Sequence, residues 1–334
     1  MCGIFGGCWC ECPEFFLENL AESRNLLIHR GPDDSGLEIF KIANRTLSLG
    51  HTRLSIIDLS PGGHQPMHSR DGRFVIVFNG EIYNYLELRQ ELRHLGHEFL
   101  TESDTEVLLA AWAQWGTDCI HRLIGMFAFA ILDKHEENIT LVRDAFGIKP
   151  LFYSLTQKKL IFASELPALL ILSQDKAELN VQRAYDYLIS GVVDSGIETF
   201  INGVSHVPPG HCVRVDLSMK PLIQKVFRWW TPSVAETFHG SFEQAAEMLR
   251  DLFLESVKLH LRSDVPLGVA LSGGLDSSAI ACAMRFLEPD MDIHTFSYIS
   301  SDNCLSEEAW IDVINGHIKA IPHKVYISGD DFIR

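Results

Sequence analysis

The sequence predicts an α/β protein in two parts, and three stretches of the chain carry that prediction. In the first part, short apolar strands such as Arg73–Phe78 precede helices such as Asp104–Trp115. In the second part, Val265–Leu271 is apolar throughout, which is typical of a strand buried on both faces of a parallel sheet. Because β and α segments alternate after it, we expect a doubly wound parallel sheet there.

The first part is expected to be a β-rich body with two helices near its middle. Leucines recur among charged residues over Tyr85–Leu95 and predict an amphipathic helix, and Ser103 or Asp104 is the expected N-cap of the next helix. The strand Arg73–Phe78 runs into Asn79–Gly80, a dipeptide typical of turns. Two further strand pairs are predicted: Phe127–Asp133 with Thr140–Arg143, and Leu151–Tyr153 with Leu160–Ala163.

The second part follows a polar linker. We expect a first domain over residues 1–215, a linker over 216–240 and a second domain over 241–334. The predicted elements of the second domain are a helix over 241–261, the strand Val265–Leu271, a Gly-rich loop at Ser272–Ser278, a helix ending at Leu287, the strand Ile293–Ser297, the helix Glu307–Ile318 and the strand His323–Ile327. A parallel sheet needs both faces covered, so with these few strands the second domain is expected to be incomplete.

Charge and hydropathy limit the classes of partner. The chain has 334 residues, enough for about two domains of ordinary size. Lys and Arg number 28 and Asp and Glu number 44, which gives a net charge of −16. An acidic surface repels phosphate backbones and anionic lipids, so we expect no nucleic-acid and no membrane partner. The sequence contains no apolar run of ~18 residues and no signal-peptide pattern, so the expected compartment is the cytoplasm.

Four of the eight cysteines lie within the first twelve residues. In a cytosolic chain they should be reduced. Cys8, Cys10 and Cys12 alternate with other residues and would share one face of a strand. Zinc sites usually space paired ligands about two to four residues apart, so this spacing favours thiols beside a sheet over a metal site. The role of these three cysteines stays unassigned.

Cys2 is the candidate nucleophile. Once Met1 is removed, Cys2 carries both a thiol and a free α-amine, whose unperturbed pKa values are about 8.5 and about 8. The neutral amine can take the thiol proton, directly or through a water molecule, without a histidine. A cysteine at position two means little by itself, so this interpretation depends on other residues.

Three further positions offer the chemistry that such a nucleophile needs. Asn79–Gly80 supplies a side-chain amide and a backbone N–H that can converge on one oxygen as an oxyanion hole, with a plain turn as the alternative. Arg53 can hold a carboxylate through two parallel N–H bonds, or form a surface ion pair. Asp104 can hold an ammonium group, or simply cap its helix.

Together these positions fall in motifs that resemble the class II glutamine amidotransferase domain. The motifs are MCGIFGG at the N-terminus, HRGPD at 29–33, GHTRLSIID at 50–58, FNGEIYN at 78–84, SDTE at 103–106, RDAFGIKPL at 143–151 and FASE at 162–165. The resemblance covers nearly all of residues 1–215 and implies an αββα sandwich. It also implies that Cys2 attacks the side-chain amide of glutamine, forms a thioester and releases ammonia, after which hydrolysis gives glutamate.

The same resemblance implies a role for each remaining residue. Beside the catalytic Cys2, Asn79 and Gly80 would form the oxyanion hole. Arg53 would bind the α-carboxylate of glutamine, and Asp104, with help from Glu81, would bind its α-amine. The implied glutamine-binding set is Arg53, Leu54, Ile56, Asn79, Glu81 and Asp104.

The Gly-rich loop Ser272–Ser278 predicts a phosphate site. Gly273 and Gly274 let backbone N–H groups turn inward, and the N-terminus of the following helix adds its dipole. The loop lacks the lysine of a Walker A motif and does not match a dinucleotide-binding fingerprint. Asp276 would repel phosphate unless it holds Mg²⁺, which then bridges phosphate oxygens, so Mg²⁺ is an expected cofactor.

The sequence SGGLDSS at this loop resembles the pyrophosphate loop of ATP pyrophosphatases, which cleave ATP to AMP and pyrophosphate. Behind a class II glutaminase, it is similar to the glutamine-hydrolysing asparagine synthetase family. That resemblance implies that ATP adenylates aspartate, that ammonia then displaces AMP, and that the protein can form a homodimer. The implied ATP-binding residues are Leu271, Ser272, Gly273, Gly274, Asp276 and Ser277, with Thr295–Ser297 as a further part of the adenosine wall.

Three alternatives remain at this stage. A sugar-phosphate amidotransferase shares the first domain but would continue into a sugar isomerase domain rather than this loop. A related ATP-dependent amidotransferase could act on another carboxylate, on a peptide or a surface sugar. A non-catalytic module would keep the first domain only as a scaffold. This alternative is disfavoured because the candidate site residues are all present, namely Cys2, Arg53, Asn79 and Asp104.

Overall fold

The computed structural model describes residues 1–193, 196–234, 238–300, 302 and 306–327. The chain divides into two compact units, Met1–Ser233 and Val234–Arg334. Within the described residues, no helix combines the length and the apolar character needed to cross a bilayer.

The first unit is formed mainly of antiparallel strands. Its strands in chain order are β1 (Gly3–Trp9), β2 (Asp34–Ile42), β3 (Arg45–Arg53), β4 (Met67–His68), β5 (Phe74–Ile82), β6 (Gly125–Asp133), β7 (Asn138–Arg143), β8 (Phe152–Leu155), β9 (Lys159–Ala163), β10 (Ser205–His206), β11 (His211–Asp216) and β12 (Ile223–Arg228). Its helices are α1 (Phe16–Leu27), α2 (Tyr85–His94), α3 (Asp104–Trp115), α4 (Leu166–Ser173) and α5 (Val181–Ser190). The strands form two six-stranded sheets, ordered β10–β8–β9–β1–β3–β2 and β12–β11–β7–β6–β5–β4.

Apolar residues alternate along the central strands and divide the core into layers. On β1, Ile4 faces the layer between the two sheets, while Phe5 faces the layer under α1 and α4. On β5, Val75 faces the layer between the sheets, while Ile76 faces the layer under α2 and α3. The period-two pattern therefore buries both faces of each sheet, and the predicted αββα sandwich is confirmed.

The two helices expected near the middle of the first part are present as α2 and α3, but α1, α4 and α5 were not predicted. α4 has the sequence LPALLILS and is apolar almost throughout, so it shows no helical alternation of apolar and polar residues. It buries Ala168, Leu169 and Leu172 against the first sheet. The predicted α3 is confirmed, and the Ser103 side chain caps it by accepting a hydrogen bond from the Thr105 N–H.

The prediction of a turn at Asn79–Gly80 was also wrong. β5 continues through both residues to Ile82, and Asn79 and Gly80 pair with Ala128 and Phe127 of β6. The pairing with β6 extends along all of β5, which keeps the dipeptide extended. A further strand, β12, lies within the segment 216–240 that was expected to be a linker.

The second unit contains a three-stranded parallel sheet. Its strands β13 (Gly268–Ala270), β14 (His294–Ser300) and β15 (Ile321–Ile327) are adjacent in that order. Its helices are α6 (Phe242–His260), α7 (Leu275–Leu287) and α8 (Glu308–Ile318). Val257 of α6, Met284 of α7 and Ile311 of α8 are buried in one cluster with Ile299 of β14. The β–α alternation expected for this region is present.

Candidate active site

The sequence-predicted residues of the first part lie around one pocket in the first unit. The pocket is lined by Met1, Cys2, Arg53, Leu54, Ile56, Ile57, Gly63, Gln65, Phe78, Asn79, Gly80, Glu81, Ser103, Asp104, Thr105 and Lys149. Most of these residues come from the start of β1, the end of β3 and the loop after it, the second half of β5, and the start of α3, while Lys149 lies between β7 and β8.

Strand pairing places Cys2 beside Arg53. Gly3 is opposite Thr52 in the β1–β3 ladder, so the preceding Cys2 lies at the end of β3. The Leu54 N–H donates to the Cys2 sulfur over 3.4 Å. Burial raises the pKa of the Cys2 thiol, although the Leu54 hydrogen bond opposes that shift. The thiol is therefore neutral at neutral pH and needs a base to become a nucleophile.

The backbone of Cys2 is held by a second group of side chains. Arg30 Nε donates to the Cys2 carbonyl oxygen over 2.9 Å. Arg30 Nη1 forms an ion pair with Glu165 Oε1 at 2.9 Å, and His29 Nε2 lies 3.0 Å from the same oxygen. The HRGPD and FASE motifs thus contact each other next to the Cys2 backbone, and the Arg30 hydrogen bond holds Cys2 in position.

The edge of β5 supplies backbone N–H groups to the pocket. β4 pairs with β5 only at Ile76 and Val75. Beyond that point the Phe78 N–H donates to Gln65 Oε1 over 2.6 Å, and the Ile82 N–H donates to Asp104 Oδ2 over 2.9 Å. Since N–H groups two residues apart point to the same strand edge, the Gly80 N–H lies between these two and points to the pocket side.

Asn79 and Gly80 have the features of an oxyanion hole. The Asn79 side chain is fully buried, and neither its amide nitrogen nor its oxygen has a hydrogen-bond partner among the described residues. A buried amide without a partner is costly in a protein interior, and this one lines the pocket. At Gly80 an added Cβ would lie 2.3 Å from the Met126 carbonyl oxygen, so only glycine fits there.

Arg53 is oriented by carbonyl oxygens of the loop that follows β3. Its guanidinium donates to the Ser60 oxygen over 2.8 Å, to the Ile57 oxygen over 3.4 Å and to the Asp58 oxygen. The side chain is buried and packs against Gly63, where an added Cβ would lie 1.9 Å from Nη2. These carbonyl oxygens hold the guanidinium in place without neutralising it, so a carboxylate bound here would meet a fixed cation.

Asp104 provides the opposite charge. It is buried at the first turn of α3, beside Glu81. Burial raises the pKa of Asp104 to about 7, the Ile82 N–H bond opposes the shift, and the negative charge of Glu81 adds to it. A cation in the pocket would stabilise the ionised form, so the site is poised to bind an ammonium group.

Sequence reasoning missed several residues of this site, chiefly Gln65, Thr105, Lys149 and His51. Gln65 Nε2 donates to Thr105 Oγ1 over 3.2 Å and so ties the β5 edge to α3. His51 Nε2 lies 3.0 Å from the Phe78 carbonyl oxygen, which can only accept, so this nitrogen carries the proton. Burial lowers the pKa of His51 to about 3, so it stays neutral. These contacts join distant segments and have no local pattern.

The Gly-rich loop of the second unit has the geometry of an anion-binding turn. Gly273 has φ +84°, in the left-handed region that favours glycine. Ser272 Oγ lies 3.0 Å from Ser277 Oγ, and the Gly274 N–H donates to Ser272 Oγ over 3.3 Å. The loop leads directly into α7, and Asp276 is exposed in the first turn of that helix. Its serine hydroxyls, backbone N–H groups and single carboxylate fit phosphate oxygens and Mg²⁺.

The three cysteines left unassigned occupy different surroundings. Cys8 lies in the core between the sheets, Cys10 contacts the buried Arg45 guanidinium, and Cys12 is exposed and lies 3.1 Å from Thr46 Oγ1. β1 ends at Trp9, so Cys10 and Cys12 lie beyond it. Across the part of the chain that the structure describes, no group of three or more His, Cys, Asp or Glu residues is arranged to hold a metal ion.

A four-layer αββα sandwich with a cysteine at the start of its first central strand defines the class of N-terminal nucleophile hydrolases. Comparison with protein-family models places the chain within that class: residues 1–229 match the glutamine amidotransferase domain, and residues 248–334 match asparagine synthase. The chain therefore belongs to the glutamine amidotransferase family of the asparagine synthetase type.

Relatives agree with this assignment, and a solved structure shares the fold. The chain is 36 % identical to asparagine synthetase [glutamine-hydrolyzing] 1 of Bacillus subtilis over 84 % of its length, and 32 % identical to asparagine synthetase [glutamine-hydrolyzing] 3 of that organism over all of it. It spans 42 % and 55 % of those two proteins, about half of their length. A structure of the allosteric regulatory enzyme of purine biosynthesis has the same fold, with a TM-score of 0.51, 14 % identity and coverage of 98 % of this chain and 90 % of that one.

Asp104→Asn is expected to make the first unit more stable at pH 8 while weakening binding in the pocket. The folded chain holds a proton on Asp104 up to pH about 7, whereas an unfolded aspartate loses it near pH 4. The free energy of unfolding therefore falls as the pH rises from about 4 to about 7. The substitution should restore up to about 4 kcal/mol of it at pH 8. Urea unfolding of both proteins at pH 5 and pH 8 measures this.

Asp133→Asn is the control with the opposite sign. Asp133 is also buried, and burial by itself would raise the pKa of its carboxyl. The hydrogen-bonded Arg73 guanidinium outweighs this effect and holds that pKa below its usual range. Its replacement should destabilise the protein at pH 8. An Asp104→Asn protein that is less stable than the wild type at pH 8 would contradict the assigned role of burial at Asp104.

Proposed function

We propose that the first unit hydrolyses glutamine to glutamate and ammonia, and that the whole protein uses ATP and this ammonia to convert aspartate to asparagine. The observation that carries the first half is the unpartnered, buried Asn79 amide, which lines the same pocket as the Cys2 thiol. Family membership supports glutamine as the substrate of this pocket. The second half is supported by the match of residues 248–334 to asparagine synthase.

The nucleophile in this proposal is the thiol of Cys2, and its base is the α-amine that becomes free when Met1 is removed. Burial lowers the pKa of the chain's terminal amine even with Met1 present, and the nearby Lys149 and Arg30 charges act in the same direction. A lowered pKa keeps an amine neutral and able to accept the thiol proton near pH 7. The thiolate then attacks the amide carbon of glutamine.

Charge that develops on the substrate oxygen is stabilised by Asn79 Nδ2 and the Gly80 N–H. The pairing of β5 with β6 holds the backbone at both residues, and burial confines the Asn79 side chain, so both donors are in place before substrate arrives. Such donors stabilise the transition state more than the ground state, since the oxygen gains charge only as the sulfur attacks. The protonated α-amine returns its proton to the leaving ammonia, and water hydrolyses the thioester.

Recognition of glutamine in this proposal depends on the two charges at its α-carbon. The fixed Arg53 guanidinium binds the α-carboxylate, and Asp104 binds the α-ammonium group with Glu81 nearby. Leu54 and Ile56 line the same pocket and complete the proposed glutamine-binding set. Leu54 also contributes its N–H to the Cys2 sulfur.

ATP and Mg²⁺ are the proposed cofactors of the second unit. The Ser272–Ser278 loop would hold the phosphates through the backbone at Gly273 and Gly274 and the hydroxyls of Ser272 and Ser277, and Asp276 would bind Mg²⁺. Leu271 is buried at the end of β13, and Thr295 and Ser297 are buried on β14. The Leu271 N–H donates to the carbonyl oxygen of Phe296, which stands between Thr295 and Ser297 on β14, and these residues are proposed for the adenosine side.

Glutamine hydrolysis by this chain should require a free N-terminal Cys2. Intact-mass measurement is expected to show loss of Met1, and Cys2→Ala should reduce glutamate release to background, because no other described group in the pocket is a thiol nucleophile. A surface variant such as Cys12→Ala should keep full activity. Full activity in protein that retains Met1 would refute the amine as base.

Arg53→Lys and Asn79→Ala should affect different kinetic constants. Lysine cannot make two parallel bonds to a carboxylate, so Arg53→Lys should raise the KM for glutamine by about ten- to a hundredfold. Asn79→Ala removes a donor that acts only as charge develops, so it should lower kcat by about a hundredfold or more. Steady-state glutamate release measures both, and equal changes in the same constant would contradict these assignments.

Aspartate should be the carboxylate that the protein activates. In a protein with a complete second domain, supplied with glutamine, ATP and Mg²⁺, aspartate is expected to increase AMP release and yield asparagine. Asp276→Asn should abolish that increase without changing glutamate release. Asp290→Asn, an exposed carboxylate outside the loop, is the matched control. AMP release that depends on a peptide or sugar carboxylate instead would favour a related amidotransferase with another acceptor.

A further inference from the structure

We propose that Asp58 is a positioning residue that fixes the spacing between Arg53 and Asp104, and so sets the recognition of a free α-amino acid. The inference rests on the proposed function of the pocket as a glutamine site. Asp58 is buried in the loop after β3, between the residues assigned to the carboxylate and to the ammonium group.

One side of Asp58 fixes Arg53. Its carbonyl oxygen accepts from Arg53 Nη2, and its carboxylate oxygen Oδ1 accepts from the Ser60 N–H at 3.0 Å and the Ser60 hydroxyl at 2.5 Å. Ser60 in turn offers its own carbonyl oxygen to Arg53 Nη1 at 2.8 Å. Asp58 therefore closes the loop whose carbonyl oxygens hold the guanidinium.

The other side of Asp58 fixes the start of α3. Its second carboxylate oxygen, Oδ2, accepts from the Glu102 N–H at 3.0 Å. Glu102 precedes Ser103, the N-cap of α3, and Asp104 follows directly. A single carboxylate thus joins the loop that orients Arg53 to the segment that orients Asp104, one oxygen for each.

The backbone at Asp58 shows that this position is held by its contacts. Its φ is +58°, in the left-handed region that residues other than glycine, asparagine and aspartate rarely adopt. Burial alone would raise the pKa of the Asp58 carboxyl, but the hydrogen bonds from Ser60 and Glu102 and the Arg53 charge hold it below its usual range. The carboxylate is therefore charged at neutral pH, with both oxygens in use.

Asp58→Asn tests this role because asparagine keeps the size and tolerates the left-handed conformation. An amide has only one acceptor oxygen, so it must release either the Ser60 N–H or the Glu102 N–H, each of which can only donate. We expect the KM for glutamine to rise by about tenfold, within the range for one charge-assisted hydrogen bond, with kcat changed by less than about twofold.

A substrate that lacks the α-amine separates positioning from general damage. 4-Carbamoylbutanoate has the amide and the carboxylate of glutamine but no ammonium group. Wild-type enzyme should prefer glutamine over it in kcat/KM, and Asp58→Asn should reduce that preference by about the factor by which it raises the KM for glutamine. Equal losses for both substrates would show that Asp58 does not set the position of Asp104 relative to Arg53, and would overturn the proposal.

Asp133→Asn is the matched control, because Asp133 is a buried carboxylate that also accepts backbone N–H groups, from His135 and Glu136, outside the pocket. It should lower the unfolding midpoint without changing either substrate's kinetics. If Asp58→Asn does not fold, Ser60→Ala serves as a milder second variant. It should raise the KM for glutamine by about threefold, because it removes one hydrogen bond to Asp58. An unchanged KM in a folded Asp58→Asn protein would also overturn the proposal, whereas no glutamine hydrolysis by the wild type would overturn the proposed function instead.

Discussion

The candidate site depends on where β4 stops. β5 is paired along its whole length with β6, but β4 covers its other edge only at Ile76 and Val75. The N–H groups that follow on that edge would be unsatisfied in a dry core, so each needs another partner. Gln65 satisfies Phe78 and Asp104 satisfies Ile82, and the Gly80 N–H between them is directed to the pocket. Because β4 is short, the uncovered edge of β5 presents a row of backbone N–H groups that can bind other partners.

The pocket keeps polar groups in states that favour binding over stability. Asn79 is buried without a partner, Asp104 is buried next to Glu81, and Arg53 is surrounded by carbonyl oxygens. Each of these arrangements costs free energy that an oxygen, an ammonium group or a carboxylate would offset if it bound there, as in the proposed function. Two well-packed sheets supply the stability that makes such a site tolerable, since their apolar layers are buried on both faces.

The sequence allowed the general fold and most of the chemical groups to be predicted, but not their supports. Cys2, Arg53 and Asp104 stand in short motifs, so they could be identified one by one. Gln65 stands in none of these motifs, and Asp58 ends the motif at 50–58 without showing its role, because each acts through contacts with distant segments, at Phe78 and Glu102. The same limit applies to secondary structure. The Asn79–Gly80 dipeptide has a local preference for turns, and pairing with β6, which no local pattern reveals, keeps it extended.

The surroundings of Cys2 bear directly on which group can act as its base. His51 is the buried histidine behind the β5 edge, but its Nε2 is committed to the Phe78 carbonyl oxygen and its pKa is lowered to about 3. It cannot accept a proton near neutral pH at an acceptable cost. His29 is not among the residues that line the pocket, and its Nε2 contacts Glu165. With the thiol buried and neutral and both histidines unsuited, the α-amine of Cys2 is the base that we propose, and it needs no further residue to be positioned.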